Sequence, residues 1–149
     1  MPVTFDMLPP CPTRPVILRG KPFNVRALSS SESFRLRTRA ILRPAPPPVK
    51  NPTKGSLTDE IVLADWDADY RREMAAYVWR VAILTAAVAV DFQTSAGEFR
   101  RGMNDGELAA WAEKAIDELS AALNDDEIRA INAASDAAGA SALEDAAKN

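Results

Sequence analysis

The chain has 149 residues, of which 47% are hydrophobic, and its formal net charge at pH 7 is −3. A chain of this length forms one domain, or one domain with arms, around a single core. It contains no histidine and one cysteine, Cys11, which excludes an internal disulfide and a zinc site of the usual Cys and His composition. A single cysteine is typical of a reducing, intracellular setting.

Charge and proline divide the chain into two unequal parts. All 11 prolines lie at or before Pro52, so that only the remainder can form uninterrupted helices. Ten of the 18 Lys and Arg residues, but only two of the 21 acidic residues, lie at or before Lys54, which gives this part a charge of +8 and the remainder −11. The asymmetry predicts either attraction between the two parts or two surfaces made for different partners.

The first predicted elements are an arm and a hairpin. Residues 1–14 are interrupted by prolines and lack periodicity, and we expect them to form a flexible arm. Two short β-prone runs, residues 16–19 and 23–26, flank a glycine-containing turn and predict a hairpin. In the second run Phe23 and Val25 alternate with polar residues, so that one face should be buried. An isolated hairpin is marginal in water and must pack on the rest of the chain.

A basic helix is predicted after the hairpin. Ser29 and Glu32 have the spacing of a capping box, and the helix should run from about Ser30 to Arg43. The side chains expected to face inward are Phe34, Thr38, Ile41 and Leu42. Another side carries the arginines that recur every four residues, Arg35, Arg39 and Arg43. Hairpin and helix together form the predicted unit 15–43.

A proline-rich connector, residues 44–55, leads to a helical body, residues 56–139. Ser56 and Asp59 are placed to cap its first helix, which should reach about Phe92 with a break near residues 64–67. Apolar residues recur along it with the period of one helix face, namely Trp66, Tyr70, Met74, Tyr77, Val81, Leu84 and Val88. The apolar run 75–90 contains Arg80 and is shorter than the roughly 20 residues of a membrane span, so we expect a buried helix and no membrane contact.

Two further helices are predicted in the body. Asn104 with Glu107, and Asn124 with Glu127, have cap spacing. The apolar positions of these helices are Leu108, Trp111, Ala115, Ile116, Leu119 and Leu123, then Ile128 and Ile131. Gly139 fits a helix stop, and residues 140–149 are expected to fray. The predicted fold is mainly α, a helical bundle with a short N-terminal β-hairpin and a proline-rich arm and connector.

The residue types that catalysis or metal binding requires do not form a recognisable site. Without histidine, a nucleophilic Ser, Thr or Cys would need a lysine or carboxylate base, and no motif positions one. Asp65, Asp67 and Asp69 resemble the beginning of a calcium loop, but the glycine and the glutamate of such a loop are not at the required positions. We therefore predict no enzymatic activity, no cofactor and no bound metal.

The candidate functional residues are instead those suited to binding a partner. Trp79 lies off the main stripe of its helix, so that it is either a second buried contact, which is the preferred interpretation, or an exposed anchor. The arginine stripe could reach phosphates, but the negative total charge and the lack of interleaved aromatic residues favour a solvated face, or pairing with the acidic body. The candidates for partner contact are Phe23, Val25, Trp79, Trp111, Arg35, Arg39 and Arg43.

Residues 23–32, Phe-Asn-Val-Arg-Ala-Leu-Ser-Ser-Ser-Glu, resemble the opening of the small tail assembly chaperones of tailed bacteriophages with non-contractile tails. Those proteins often begin with a β-prone segment that ends in a Val-Arg-x-Leu-Ser/Thr stretch and continues into a capped helix. The acidic helical body with tryptophans and the Ala-rich end is similar in organisation. The long proline-rich arm and the connector 44–52 depart from that pattern.

The resemblance implies a protein of the host cytoplasm that keeps the tape measure protein soluble and recruits tail tube subunits, with no catalytic residues and no place in the finished virion. Homo-oligomerisation is left open. One alternative is a minor structural protein of the phage particle, a tail or connector component whose proline-rich arm wraps a neighbour. A less favoured alternative is a nucleic-acid-binding regulator that uses Arg35, Arg39 and Arg43.

Overall fold

The computed structural model describes residues 12–44 and 57–148, without the side chains of residues 57–67 and 141–148. Its elements in chain order are strands β1 (Thr13–Leu18) and β2 (Lys21–Arg26), helix α1 (Ser30–Arg35), a π-helical segment (Leu36–Ala40), and helices α2 (Leu57–Ala89), α3 (Asp105–Ala122) and α4 (Asp125–Lys148). The predicted fold class is confirmed, because the described chain is mainly helical with an antiparallel hairpin near its N-terminus. The predicted connector, apart from Pro44, and the Ser56 cap lie outside the described residues, as does Cys11.

The hairpin closes through a two-residue turn. Leu18 pairs with Lys21, and the two residues between them, Arg19 and Gly20, have φ angles of 51° and 78°. Two consecutive positive φ angles are the pattern of a type I′ turn, in which glycine adopts the left-handed conformation without strain. The predicted boundary of the arm at residue 14 is wrong, because Thr13 and the residue after it already pair with the end of β2.

The tip of the hairpin is attached to the junction of α3 and α4. Arg19 donates from Nε and Nη2 to the carboxylate of Glu127, at 3.1 and 2.8 Å, and from Nη2 to the carbonyl of Ala122 at 2.7 Å. Asn124 caps α4 as predicted, since its Oδ1 accepts the backbone N–H of Glu127 at 2.9 Å. A basic residue of the N-terminal part thus pairs with an acidic residue of the body, which is one of the two outcomes that the charge asymmetry predicts.

Helix α2 is continuous over 33 residues. The predicted break near residues 64–67 is therefore wrong, since aspartate lowers helix propensity by only a fraction of a kcal/mol, at most about 0.7. Tyr77, Leu84 and Val88 of the predicted stripe are buried, which confirms the inner face of the second half of this helix. Between residues 68 and 80 only Tyr77 is buried. In the part of the chain that the structure describes, no helix is both long and apolar enough to cross a membrane.

Helices α3 and α4 complete the core. The side chains predicted to be apolar contacts of these helices and found in the buried cluster are Leu108, Trp111, Ala115, Leu119, Ile128 and Ile131. Trp111 packs against Phe99 with ring centroids 5.4 Å apart. Val25 of β2 and Leu36 of the π-helical segment join the same cluster, so that the hairpin is held by the body as the sequence required.

Helix α4 passes through Gly139 and ends at Lys148. The predicted stop at Gly139 is therefore wrong, whereas the fraying of residues 140–149 stays a prediction. A glycine ends a helix by adopting positive φ, and Gly139 does not do so. A Cβ built at position 139 would lie 3.6 Å from the Cβ of Ala27, which is an ordinary contact distance.

We expect Gly139→Ala to stabilise the protein. Alanine fits the space and removes the conformational freedom of glycine in the unfolded chain, so that the free energy of unfolding should rise by about 0.5–1 kcal/mol. Urea denaturation followed by circular dichroism measures the change. Gly20→Ala is the matched control and should destabilise, because its φ of 78° disfavours a side chain. A loss of stability in Gly139→Ala would contradict the helical geometry at this position.

The inner face predicted for the basic helix is wrong at Phe34, Thr38 and Leu42, and confirmed only at Ile41, which packs against the core. Leu36 and Ala40 are buried, at 0% and 5% exposure, whereas Phe34 and Leu42 are 60% and 93% exposed. The helical segment also ends at Ala40 rather than at Arg43. Its widened π-helical turn has a period of more than four residues, which places Leu36 and Ala40 together against the core.

The predicted inner face implies that truncation of Phe34 destabilises the protein more than truncation of Leu36. The structure predicts the reverse. We expect Leu36→Ala to lower the free energy of unfolding by about 2–4 kcal/mol, because it removes a fully buried side chain. Phe34→Ala should change it by less than about 1 kcal/mol, because most of that ring is in solvent. Denaturant unfolding of both variants tests this, and a larger loss for Phe34→Ala would restore the predicted face.

Candidate functional site

An ion pair with a buried carboxylate sets the orientation of α1. Arg26, at the end of β2, donates from Nη1 and Nη2 to the two carboxylate oxygens of Glu32, at 3.0 and 2.8 Å. The carboxylate also accepts the backbone N–H of Ser29 at 2.9 Å, and Ser29 Oγ accepts the N–H of Glu32 at 3.2 Å, which confirms the predicted capping box. Phe34 follows Glu32 by two residues, which is about 200° around a helix. Fixing Glu32 inward therefore turns Phe34 outward.

The same contacts control the ionisation of Glu32. Burial acts to raise the pKa of this carboxyl group, but the hydrogen bonds from Arg26 and from the backbone of Ser29 outweigh it and lower the pKa from 4.5 to about 2. A lowered pKa means that the folded protein favours the ionised form. The stabilisation is complete above the ordinary pKa and is lost as the pH falls towards the folded value.

Glu32→Gln should remove this contribution and leave Arg26 paired with the exposed carboxylate of Asp91, 3.5 Å from its Nε. At neutral pH we expect the free energy of unfolding to fall by about 3 kcal/mol, since each pKa unit corresponds to about 1.4 kcal/mol. The difference from the original chain should shrink between pH 5 and pH 2, where Glu32 becomes protonated. Denaturant unfolding across this pH range measures it. Glu113→Gln, on the exposed face of α3, is the control, and a pH-independent loss in Glu32→Gln would contradict the assignment.

An apolar groove of about 880 Å³ lies between the solvent-facing side of residues 30–43 and helix α2. We call it the α1–α2 groove. The α2 wall consists of side chains one turn apart, namely Met74, Tyr77, Val78 and Val81. Tyr77 is buried and forms the floor, where its hydroxyl donates to the carbonyl of Arg37 at 2.5 Å. This hydrogen bond joins the two walls.

The opposite wall carries both apolar and cationic side chains. Phe34 and Leu42 line it together with Arg37 and Arg43. Val78 on the α2 wall is 57% exposed, so that three large apolar side chains face solvent in one place. Within the described residues, neither Arg37 nor Arg43 has a side-chain hydrogen bond or an ion pair. The arrangement is that of a binding surface with cations beside exposed apolar area.

The seven residues predicted to contact a partner do not form one site. Val25 and Trp111 are buried in the core, at 0% and 1% exposure, so the prediction that they contact a partner directly is wrong. Phe23 is 43% exposed on the hairpin, on the same face as Val25. Trp79 is 44% exposed and does not line the α1–α2 groove, so that its preferred interpretation as a buried contact is also wrong.

The three arginines of the predicted stripe differ in their contacts. Arg35 donates to the carbonyls of Arg101 and Met103, at 3.1 and 2.5 Å. Arg39 lies 3.9 Å from Asp105 in an exposed ion pair, which contributes little to stability. Only Arg43 lines the groove. The stripe is therefore divided between contacts within the chain and the groove.

Sequence reasoning missed most of the groove because its residues carry the signature of a core. Phe34, Leu42, Met74 and Val81 all recur at helical spacing, and nothing in that period distinguishes a buried stripe from an exposed one. One signal was available. Leu36 and Ala40 follow Glu32 of the capping box by four and eight residues, so that all three lie on one side of a helix. This side is an alternative inner face to the predicted one that contains Phe34.

The polar groups that line the groove are arginine guanidinium groups and hydroxyls. Among the side chains that the structure describes, those of residues 12–44 and 68–140, no group of three or more Cys, Asp or Glu could hold a metal ion. No protein-family model, no curated protein and no solved structure matches this chain.

Proposed function

We propose that the chain is a non-catalytic, protein-binding tail assembly chaperone of a tailed bacteriophage, which keeps the tape measure protein soluble in the host cytoplasm and recruits tail tube subunits. The proposed protein binding is supported by the α1–α2 groove, where Phe34, Leu42 and Val78 are exposed together. Burying such a patch against a partner removes apolar area from water, at about 25 cal/mol per Å². The phage assignment rests on the resemblance of residues 23–32.

The contacts of the basic residues support a protein partner over a nucleic acid. Nucleic-acid binding depends on free cations that neutralise several phosphates. Arg19, Arg26 and Arg35 are engaged with carboxylate or carbonyl oxygens of the same chain. The cations left beside the groove, Arg37 and Arg43, accompany apolar side chains and not a row of further basic residues.

Co-expression with the tape measure protein of the same phage genome tests the proposal. We expect the soluble fraction of the tape measure protein to rise several-fold when the chain is present, because its apolar helices are then covered. The two proteins should co-elute in size-exclusion chromatography. Co-expression with an unrelated small acidic helical protein is the control.

Two results would contradict the proposal. A tape measure protein that stays equally insoluble with and without the chain would remove the chaperone function. Stoichiometric amounts of the chain in purified particles would favour the alternative of a minor structural protein in the tail or connector.

A further inference from the structure

We infer that the α1–α2 groove takes an amphipathic helix of about three turns that carries carboxylates beside its apolar stripe. The inference rests on the proposed function in one respect, which is that the partner is a protein helix. Beyond the proposed function, the inference specifies the chemistry and the length of the bound helix and the half of the groove in which the negative charge of that helix lies.

The backbone of the groove walls determines which conformation a bound peptide can have. The α2 wall is helical, and the opposite wall is helical as far as Ala40, so that apart from Leu42 and Arg43 the walls have paired backbone N–H and C=O groups and offer no strand edge to an extended peptide. An occupant must therefore satisfy its own backbone hydrogen bonds, as a helix does. Exposed apolar side chains on both sides, such as Phe34 and Val78, suit the apolar stripe of such a helix.

The length of the occupant follows from the continuity of two clefts. A smaller cleft of about 260 Å³ shares Ser33 and Arg37 with the α1–α2 groove and extends it along α2 to Thr85. From Met74 to Thr85 a helix rises by about 16 Å, at roughly 1.5 Å per residue. That distance corresponds to about three turns of a bound helix.

The charge of the occupant follows from the position of the cations. Arg37 lines both clefts, whereas Arg43 lines only the half that contains Met74. The other half contains a carboxylate, Asp136. Glutamate or aspartate on the bound helix is thus attracted to the Met74 half, and lysine or arginine there is repelled.

Fluorescence anisotropy of the full chain with two designed peptides tests this inference. Both peptides have about 12 residues and a leucine stripe at i, i+3, i+4 and i+7, and their helicity is matched by circular dichroism. One carries glutamates beside the stripe and the other carries lysines. We expect the glutamate peptide to bind about tenfold more tightly at low ionic strength, and the difference to narrow as added salt screens the charges.

Variants of the chain locate the binding. The double substitution Arg37→Glu with Arg43→Glu should reverse the preference, whereas Arg80→Glu makes the same kind of charge change on α2 outside the groove and should leave it intact. Val78→Glu should abolish binding of both peptides. Ala76→Glu, on an exposed position of α2 that does not line the groove, is its control.

Each other outcome overturns the inference. Equal binding of the two peptides, binding of neither, or equal effects of the groove variants and their controls would each exclude an acidic helix in this groove. A second copy of the chain in the groove would give a dimer in sedimentation that Val78→Glu dissociates, with neither peptide bound. If the tape measure protein is kept soluble while the peptides fail, the proposed function stands and its partner binds elsewhere.

Discussion

The structure depends on the ion pair between Arg26 and Glu32. It lies where the hairpin meets the first helix, and the backbone N–H of Ser29 completes the hydrogen bonding of the carboxylate. Burial of the Glu32 carboxylate costs free energy unless the carboxylate is paired and hydrogen-bonded. The helix therefore adopts the rotation about its axis that keeps Glu32 beside Arg26. That rotation buries Leu36 and exposes Phe34. This one ion pair therefore determines which side chains of the helix join the core and which line the groove.

Much of the fold could be predicted because local chemistry determines it. The caps at Ser29, Asn104 and Asn124 were recognisable from their spacing to a following glutamate, and all three accept the expected backbone N–H. Trp111 of α3, and Leu84 and Val88 in the second half of α2, are buried as the period predicts. These features need only residues a few positions apart, and no competing contact overrides them.

The candidate site was harder to predict because exposure is a property of the whole fold. Helical period identifies Met74 and Phe34 as members of a stripe, but the number of neighbouring elements decides whether a stripe is covered. Trp111 and Trp79 illustrate this, since one tryptophan lies in the core and the other faces solvent. Gly139 shows a second limit, because packing of α4 on the rest of the fold holds a glycine in a helix that its propensity disfavours.

The two walls of the groove come from chain segments on either side of the connector, and the hydrogen bond that joins them, from Tyr77 to Arg37, spans 40 residues. Contacts between distant segments form after local ones, because a long loop must close first. A nascent chain that has not yet reached α2 therefore has one wall and no groove. The binding surface exists only in a chain synthesised past α2, so a polypeptide on the ribosome that still ends before α2 cannot bind a partner there.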